Sequence, residues 1–596
     1  MAFWRTYDRI AELVDRRWRW HRLPRVLGLA TLVGVRNTLR RENLYDTGPA
    51  SGAPDPPPGP PTPEQLAART VDGTYNDLTK PLMGMAGSRF GRNVPLSKAF
   101  PEPAGRILSP SPREVSRTLL TRSALIPATS VNALVAAWLQ FMIWDWFSHG
   151  RHVSEDPWVI PLADDDPWPD RPMRIMRTPP DPQPVGSAAP PAYVNTLTHW
   201  WDASQIYGTT REYQQFVRSG EHGKLRIDAD GTPPIPAGDL DPTREPGFWL
   251  GLLMLQSLFT REHNAICDML VASYPDWSDE ELFQRARLVL AALIAKIHTV
   301  EWTPAVINNP TTVTAMHANW WGLAGERISR VAGRISDSEV ISGIPGSHTD
   351  HFGVPYSLTE EFTAVYRMHP MMPDDFDLRS LTDDRGHGQY TLRELSGPAS
   401  IDLIGKIGHT DLLYSLGTMH PGLVTLHNFP RWLQEFQRPD GKLADLAATD
   451  IMRDRELGVP RYNEFRRLLH LPAPATFAEL TDDPAWAREI EQVYHGDIER
   501  VDLQVGLYAE PRPAGFAFSD TAFRIFIVMA SRRLNSDRFL TKDFTPAVYT
   551  PEGLRWIADN TMTTVLLRHH PELRAAMRTL ENAFQPWSKV RTAPMG

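Results

Sequence analysis

Six long segments with the hydrophobic periodicity of buried α-helices constrain the fold of this chain more than any other feature. Apolar residues recur at helical spacing in 131–146, 247–274, 279–302, 359–368, 404–416 and 522–534. Segments with the alternating pattern of β-strands are few and short. We therefore predict a mostly α fold with small β elements.

Length and composition indicate a large folded core. The 596 residues exceed one typical domain, and 42% are hydrophobic while 22% are charged, as in folded soluble proteins. The single cysteine, Cys267, excludes internal disulfides, multi-cysteine zinc sites and iron–sulfur clusters, and it favours a reducing, cytoplasmic location. The net charge of −9 lacks the basic character of nucleic-acid-binding proteins, so we expect no nucleic-acid partner.

The N-terminus is a basic segment. Residues 1–42 carry ten arginines against four acidic residues, with Trp4, Trp18, Trp20 and an apolar stretch at 26–35. Ten residues are too few to span a bilayer, which needs about 20. This pattern is typical of a membrane-surface anchor. The alternatives are a docked helix with a solvated arginine face and a secretory signal, in which Arg36 would occupy the expected cleavage site.

Proline-rich stretches suggest how the chain is divided. Eight of the sixteen residues in 48–63 are proline, a composition that favours polyproline II and builds no core. A second such stretch, 179–191, has the composition of a surface loop. We therefore predict a basic helical segment at 1–47, a linker at 48–63 and a main domain at 64–596.

His369 is the most informative histidine. It ends an apolar helical segment that Pro370 stops, and Tyr366 lies three residues earlier, on the same face of the predicted helix. Imidazole is a usual axial ligand of haem iron, and a neighbouring phenol can be oxidised to a radical. The alternative interpretation is a hydrogen-bonded pair in the core.

A second histidine, His298, lies near the end of 279–302, and Thr303 follows at the break before the next proline. These side chains would bind an anionic head group if an arginine joined them. The alternative is helix capping beside a packed histidine. The candidate arginines are Arg532, Arg533 and Arg538, which on spacing alone form a solvated helix terminus.

Oxygen-bearing groups cluster at 198–204. A looped chain would turn Thr198, Asp202 and Ser204 to one side, with the carbonyl of Trp200 between them, and Asp145 would complete the all-oxygen shell that calcium prefers. The alternative is an ordinary Asp/Ser turn.

In their combination and order these motifs resemble the peroxidase–cyclooxygenase superfamily, and most closely the plant-type fatty-acid alpha-dioxygenases. The resemblance covers roughly residues 10–580. Its markers are 138–146, 198–208, 261–264, 297–303, 366–373, 458–463 and 531–534. It implies a haem peroxidase/cyclooxygenase-like helical fold, with 64–596 as the catalytic domain, haem b and calcium as cofactors, and a long-chain fatty acid, dioxygen and a peroxide activator as partners.

The resemblance also assigns roles to matching positions. His369 matches the proximal haem ligand, Tyr366 the residue oxidised to a tyrosyl radical, and Gln140 the distal glutamine. The residues matching the carboxylate site are His298, Thr303 and Arg533. Those matching the calcium shell are Asp145, Thr198, Trp200 through its carbonyl, Asp202 and Ser204. The implied reaction inserts dioxygen at the carbon next to the carboxylate and yields a 2-hydroperoxy acid.

One catalytic position departs from the family. Trp144 stands where the family has its distal histidine, and His149, five residues on, lies elsewhere on the helix. An indole only donates hydrogen bonds, so it cannot accept a proton from peroxide and return it, as an imidazole does. The alternative function is a haem-binding peroxidase-fold protein whose dioxygenase activity is impaired or lost; general peroxidase activity on small phenols is a third hypothesis.

Overall fold

The computed structural model describes residues 2–590 apart from 55–57, 151–155, 184–185, 187–188, 239–241, 243–246 and 439–440. Parts of the predicted linker at 48–63 and of the loop at 179–191 therefore lie outside the described residues, as do Met1 and the last six residues of the predicted catalytic domain.

The described residues are mostly helical with a few short strands, which confirms the predicted fold class. The helices that build the core and the site are α1 (Ala2–Trp18), α2 (Arg25–Glu42), α3 (Leu134–Trp146), α4 (Leu250–Ser273), α5 (Asp279–Ile297), α6 (Pro310–Trp321), α7 (Glu360–Val365), α8 (Leu446–Glu456) and α9 (Asp520–Ser536). Shorter helices are Pro63–Ala67, Pro112–Val115, Ser204–Tyr207, Arg211–Val217, Thr303–Val306, Glu326–Ala332, Glu339–Ser342, Ala399–Ile407, His409–Thr418, Tyr462–Leu468, Phe477–Leu480, Pro484–Val493, Leu503–Ala509, Pro546–Tyr549, Pro551–Asp559, Met562–His569 and Arg574–Met577.

The β elements are small antiparallel hairpins. They pair β1 (Trp158–Ile160) with β2 (Met173–Ile175), β3 (Asp375–Arg379) with β4 (Gly386–Thr391), and β5 (Phe436–Gln437) with β6 (Leu443–Ala444). The hydrophobic core therefore lies between helices.

The predicted helix at 404–416 is wrong. The structure has two helices there, Ala399–Ile407 and His409–Thr418, because Gly408 between them has φ of 90°. An α-helix requires negative φ, and glycine is the residue that reaches positive φ without steric cost. The hydrophobic spacing continues across Gly408, so it does not indicate that the helix ends there.

The predicted helix at 279–302 is present, and its last turn is modified. Ser278 and Glu281 form a capping box that starts α5, and residues His298–Trp302 continue it as one π-helical turn. Within the described chain, Asp279–Val306 is the one helical segment long and apolar enough to cross a membrane, yet 89% of its apolar 18-residue window is buried in the protein. It is thus a core helix.

Tyr366 and His369 do not share a helical face. Helix α7 ends at Val365, and His369 starts a separate 3₁₀ turn with Pro370 next to it. Met368, with φ of −93° and ψ of 39°, is not helical and separates the two elements. The predicted i,i+3 pairing is therefore wrong, and the two side chains lie in different surroundings.

The N-terminal helices pack on the main body. Helix α2 contacts α6 and α9, and Trp20, Leu32, Val35 and Leu39 belong to the central hydrophobic core. The predicted boundaries at 47 and 63 stay a prediction.

Candidate active site

Two adjacent cavities share His298, Thr303 and Tyr366 in their walls, and helix α2 lines the larger of them. The apolar wall of the larger cavity includes Leu29, Leu32, Val33, Ala315, Met316, Phe523, Phe526 and Ile527. Arg533 lines the smaller cavity. The arrangement is a mainly apolar space with a polar inner end.

His298 has a defined tautomer. The indole N–H of Trp138 donates to Nδ1 of His298 at 3.1 Å, and the imidazole stacks on Trp302 at 4.8 Å between ring centroids. Burial, aided by the positive charge of Arg533, lowers the pKa of His298 to about 3, so the ring is neutral near pH 7. Since Nδ1 accepts, the ring proton is on Nε2, which makes Nε2 a donor.

Arg533 is the arginine that the structure places at the cavity. It is 1% exposed, it lies under the rings of Trp146 and Trp201, and its Nε and Nη1 have no hydrogen-bond partner among the described residues. Arg532 instead donates to the carbonyls of Val354 and Pro355 at 2.7 and 2.9 Å. Buried N–H groups without a partner are costly, so those of Arg533 favour an anionic ligand.

Arg538 and Thr303, the other candidates for the carboxylate site, already donate hydrogen bonds within the protein. Arg538 donates to the carbonyls of Tyr75, Leu66 and Gln65, so its guanidinium is already satisfied. Thr303 lines both cavities, but its hydroxyl donates to the carbonyl of His298 at 2.7 Å across the π turn. It would have to rotate before it could donate to a ligand.

Tyr366 places a phenol in both cavities. It is 2% exposed and packs against Phe526, Phe362 and Trp146 with ring centroids 4.5, 4.6 and 5.1 Å away. Burial raises the pKa of Tyr366 above its usual value, so the phenol keeps its proton. Its hydroxyl makes no hydrogen bond to a described residue.

His369 lies on the other side of the chain turn, beside helix α8. Its Nδ1 is 2.9 Å from Oδ2 of Asp450, and its ring centroid is 5.5 Å from that of Phe429. Nε2 has no partner among the described residues, and the side chain is 31% exposed. Nδ1 is close to the carboxylate without forming a hydrogen bond to it. An imidazole with a free Nε2 is chemically suited to bind a metal.

The residues predicted to bind calcium lie together and are buried. The Ser204 hydroxyl donates to Asp145 at 2.6 Å, and the Thr198 hydroxyl donates to Asp202 at 2.7 Å. The Trp200 carbonyl accepts a 3.5 Å contact from Arg533. Burial and the nearby Asp202 charge raise the pKa of Asp145 to about 8. A cation between these carboxylates would remove that repulsion.

Known proteins match almost the whole chain. The sequence profile described as animal haem peroxidase matches residues 68–584. The chain belongs to the animal haem peroxidase family. Among members of this family, alpha-dioxygenase 2 of Arabidopsis thaliana is 38% identical, over 97% of this chain and 92% of that protein.

Solved structures agree with this family assignment. The crystal structures of Oryza sativa and Arabidopsis thaliana fatty acid alpha-dioxygenases superpose on this haem peroxidase with TM-scores of 0.89 and 0.90, each at 34% identity. They cover 98% and 100% of this chain, which covers 97% and 94% of theirs. A variant of the Oryza sativa enzyme with palmitic acid matches at 35% identity, with a TM-score of 0.89, over 98% of this chain and 97% of that one. The predicted resemblance is confirmed.

The surroundings of His369 fit the haem that this family implies. His369 offers a free Nε2, and its Nδ1 is next to a carboxylate that would fix the tautomer with its lone pair on Nε2. The role of His369 as the ligand of the haem iron stays a prediction.

Gln140 and Trp144, the residues predicted to lie on the distal side of the haem, are one helical turn apart on α3. Trp144 meets the ring of Phe248 edge to face, with centroids 6.2 Å apart. Gln140 lies close to Gly247, where a side-chain Cβ would be 3.0 Å from Nε2 of the glutamine. His149 binds Glu360 at 3.0 Å, so it is already engaged. The distal roles of Gln140 and Trp144 stay predictions.

Sequence reasoning missed several residues of the site of this haem peroxidase. Helix α2 lines the cavity through Leu29, Leu32, Val33 and Arg36, an i, i+3, i+4, i+7 spacing that marks a buried face and could have been noticed. Asp450 had no such signal, because its contact with His369 joins positions 81 residues apart (450 − 369).

Proposed function

We propose that this protein is a haem-dependent fatty-acid alpha-dioxygenase, which inserts dioxygen at the carbon next to the carboxylate of a long-chain fatty acid to give a 2-hydroperoxy acid. One observation carries the proposal: the phenol of Tyr366 shares its cavities with the Nε2–H donor of His298, and Arg533 lines the inner one. The alpha-dioxygenase relatives support it.

The head group is positioned at the inner end. The unpaired N–H groups of Arg533 and the Nε2–H of His298 would donate to the carboxylate oxygens. The alkyl tail would lie in the apolar cavity along helix α2. Anchoring the carboxylate brings the adjacent carbon towards the Tyr366 phenol and so sets the position of oxygen insertion.

Tyr366 would carry the reaction. Haem, when bound, supplies an oxidant that removes an electron from the Tyr366 phenol as its proton leaves. The resulting tyrosyl radical takes a hydrogen atom from the carbon next to the carboxylate, which restores the phenol. Dioxygen adds to the carbon radical, and the peroxyl group takes a hydrogen atom back from the phenol to give the 2-hydroperoxy acid and regenerate the radical.

Oxygen uptake by the haem-loaded protein given palmitic acid and a trace of peroxide tests the proposal. We expect uptake and a product, identified by mass, that is either the 2-hydroperoxy acid or the aldehyde one carbon shorter. Methyl palmitate is the matched control, because it lacks the carboxylate charge and should be a poor substrate. Absence of uptake with palmitic acid, or equal turnover of the ester, would contradict the proposal.

We expect Arg533→Gln to raise KM for palmitic acid about 10- to 100-fold, from the roughly 1.5–3 kcal/mol that a charge-assisted hydrogen bond contributes. Steady-state oxygen uptake measures this change. Arg532→Lys is the control, because Arg532 donates to backbone carbonyls away from the cavities and its replacement should leave KM unchanged. An unchanged KM in Arg533→Gln would remove Arg533 from the carboxylate site.

We also propose that calcium binds Asp145, Thr198, the carbonyl of Trp200, Asp202 and Ser204. Support comes from the two buried carboxylates and the neutral oxygens beside them, since calcium prefers such ligands.

Calcium should raise the melting temperature of protein first treated with a chelator, and calorimetry with and without the ion measures this. At a free calcium concentration of 100 times Kd, the ion would raise the free energy of unfolding by about 2.7 kcal/mol. Asp202→Asn should lose the calcium response, whereas Asp537→Asn, which removes a buried carboxylate paired with Arg69, should retain it. Equal responses of the two variants would place the ion elsewhere.

We further propose a cytoplasmic enzyme that binds peripherally to anionic membranes through helices α1 and α2. Both helices expose arginines and large apolar side chains, as interfacial helices do. The exposed arginines without an ion pair to a described residue are Arg5, Arg9, Arg16, Arg17, Arg22 and Arg25. The exposed apolar residues are Ile10, Leu13, Trp18, Val26 and Leu27. Helix α2 also lines the cavity, so a lipid substrate would leave the membrane close to its binding site.

Reversing the charges of Arg9, Arg16 and Arg17 should weaken binding to vesicles that contain phosphatidylserine by about 100-fold or more, since each arginine contributes roughly 1 kcal/mol near such a surface. Co-sedimentation measures the binding. Arg385→Glu, at an exposed hairpin position, is the control and should bind like the unmodified protein. Unchanged binding of the triple variant would refute the membrane proposal.

A second candidate function follows from Trp144. Because the indole accepts no proton, the protein could bind haem without efficient peroxide activation. A normal haem spectrum with no oxygen uptake would favour this alternative. General peroxidase activity on small phenols depends most on a distal base, and no observation favours it.

A further inference from the structure

We propose that two tryptophans, Trp146 and Trp201, form an indole corner that positions Arg533 for the substrate carboxylate. The two rings keep the guanidinium charged while its N–H groups stay unpaired. The inference rests on the carboxylate site of the proposed function. It adds two positioning residues, which act on the substrate through Arg533.

The guanidinium of Arg533 packs against both rings of the indole corner. Its Cζ lies 4.1 Å from the ring centroid of Trp146 and 4.4 Å from that of Trp201. The two indole planes are inclined at 84°, and their centroids are 5.4 Å apart. Trp146 ends helix α3, Trp201 lies shortly before the helix Ser204–Tyr207, and Arg533 is on α9. Three distant segments of the chain therefore meet at one charged group.

Aromatic rings replace a counter-ion at Arg533. Two other buried arginines, Arg455 and Arg524, pair with aspartates at 2.7 and 2.6 Å. No carboxylate of a described residue lies within ion-pair distance of Arg533. The negative face of an indole attracts a guanidinium, and the attraction is stronger when the cation is removed from water. The indole corner thus stabilises the charge without a carboxylate that would compete with the substrate.

Contact with the indole corner also leaves the hydrogen-bond donors of Arg533 available. A cation–π contact needs no hydrogen-bond acceptor, so it uses none of the five N–H groups of a guanidinium. Consistent with this, Nε and Nη1 of Arg533 have no partner among the described residues, while Nη2 makes a 3.5 Å contact with the carbonyl of Trp200. A charged, buried guanidinium with unpaired donors favours a carboxylate ligand.

The indole corner connects Arg533 to the other proposed substrate-positioning groups. The ring centroid of His298 is 5.2 Å from that of Trp146 and 5.6 Å from that of Trp201. Trp146 also meets Tyr366 edge to face, with centroids 5.1 Å apart. Both tryptophans line the smaller cavity. Because buried rings in contact resist independent movement, the indole corner sets the separation between the carboxylate site and the phenol.

Calorimetric binding of palmitic acid to the haem-loaded protein, without oxygen or peroxide, tests the inference. Trp201 is the position to change, because Trp146 also packs on Tyr366. The indole N–H of Trp201 has no partner among the described residues, so its replacement breaks no hydrogen bond there. We expect Trp201→Leu to weaken binding about 5- to 30-fold, the loss of one desolvated cation–π contact. Trp201→Phe keeps a weaker aromatic face and should lose about 2- to 5-fold.

Three controls separate the role of the indole corner from a general loss of packing. Methyl palmitate has no charge, so Trp201→Leu should leave its affinity unchanged. In Arg533→Gln, which lacks the cation, adding Trp201→Leu should cause no further loss of palmitic acid binding. Trp556→Leu removes an indole that lies 4.4 Å from Cζ of Arg568, outside both cavity walls, and should bind palmitic acid normally.

The outcomes separate this inference from the proposed function. Unchanged palmitic acid binding in Trp201→Leu, an equal loss for methyl palmitate, or the same loss in the Arg533→Gln background would overturn the indole corner. If the leucine variant does not fold, unchanged binding in Trp201→Phe has the same meaning. A carboxylate-selective loss in a protein that takes up no oxygen would support the indole corner and contradict the dioxygenase. Failure of the unmodified protein to bind palmitic acid would overturn both.

Discussion

Tyr366→Phe is expected to abolish oxygen uptake with palmitic acid while leaving the haem absorption spectrum unchanged. The substitution removes only the phenol oxygen, from which the hydrogen-abstracting radical would form. The hydroxyl has no hydrogen bond to a described residue, and a phenylalanine ring keeps the packing on Phe526, Phe362 and Trp146. We therefore expect a folded protein whose turnover falls by about 1,000-fold or more, equivalent to roughly 4 kcal/mol of activation free energy.

Oxygen uptake and absorption spectroscopy on the same haem-loaded sample check this prediction. Tyr549→Phe is the matched control: this tyrosine is fully buried, donates to the carbonyl of Phe539 at 2.8 Å and lies outside both cavity walls. Its variant should retain full uptake. Appreciable turnover in Tyr366→Phe would assign the radical to another residue.

Trp144→His should increase peroxide-dependent turnover about 10²- to 10⁴-fold, the usual contribution of a positioned general acid–base. The new imidazole would stand one turn after Gln140 on α3 and immediately before Asp145, at the position predicted for a distal histidine. It would accept a proton from peroxide and return it to the leaving oxygen, which the indole cannot do. Trp144 is partly buried, and the smaller imidazole needs no extra space.

Trp144→Phe distinguishes the gain of a catalytic base from the removal of a bulky side chain. It also shortens the side chain but provides no base, so its peroxide consumption and oxygen uptake should stay at the level of the unmodified protein. A gain in both variants would mean that the indole merely blocks access. No gain in Trp144→His would mean that other distal residues have also diverged, and full activity of the unmodified protein would show that Trp144 does not impair activation.

Much of the architecture followed from periodicity. The long apolar helices α3, α4, α5 and α9 lie where hydrophobic spacing predicted them. The reason is that the buried faces of a helix require apolar residues at helical spacing. Two helical predictions failed at places where the backbone turns: Gly408 divides one predicted helix, and Pro370 follows the early end of another. Apolar spacing records which residues are buried and is insensitive to a change in chain direction.

The sequence by itself determined the family, the mostly helical fold and the residue types of the site, because motif order and helical spacing are properties of neighbouring positions. Only the tertiary structure decided that Arg533, rather than Arg532 or Arg538, faces the cavity, and that Asp450 meets His369. The physical reason is that hydrogen-bond partners, burial and pKa depend on groups brought from distant parts of the chain. Three arginines that are alike in sequence differ once backbone carbonyls accept from Arg532 and Arg538 away from the cavities, while Nε and Nη1 of Arg533 stay unpaired among the described residues.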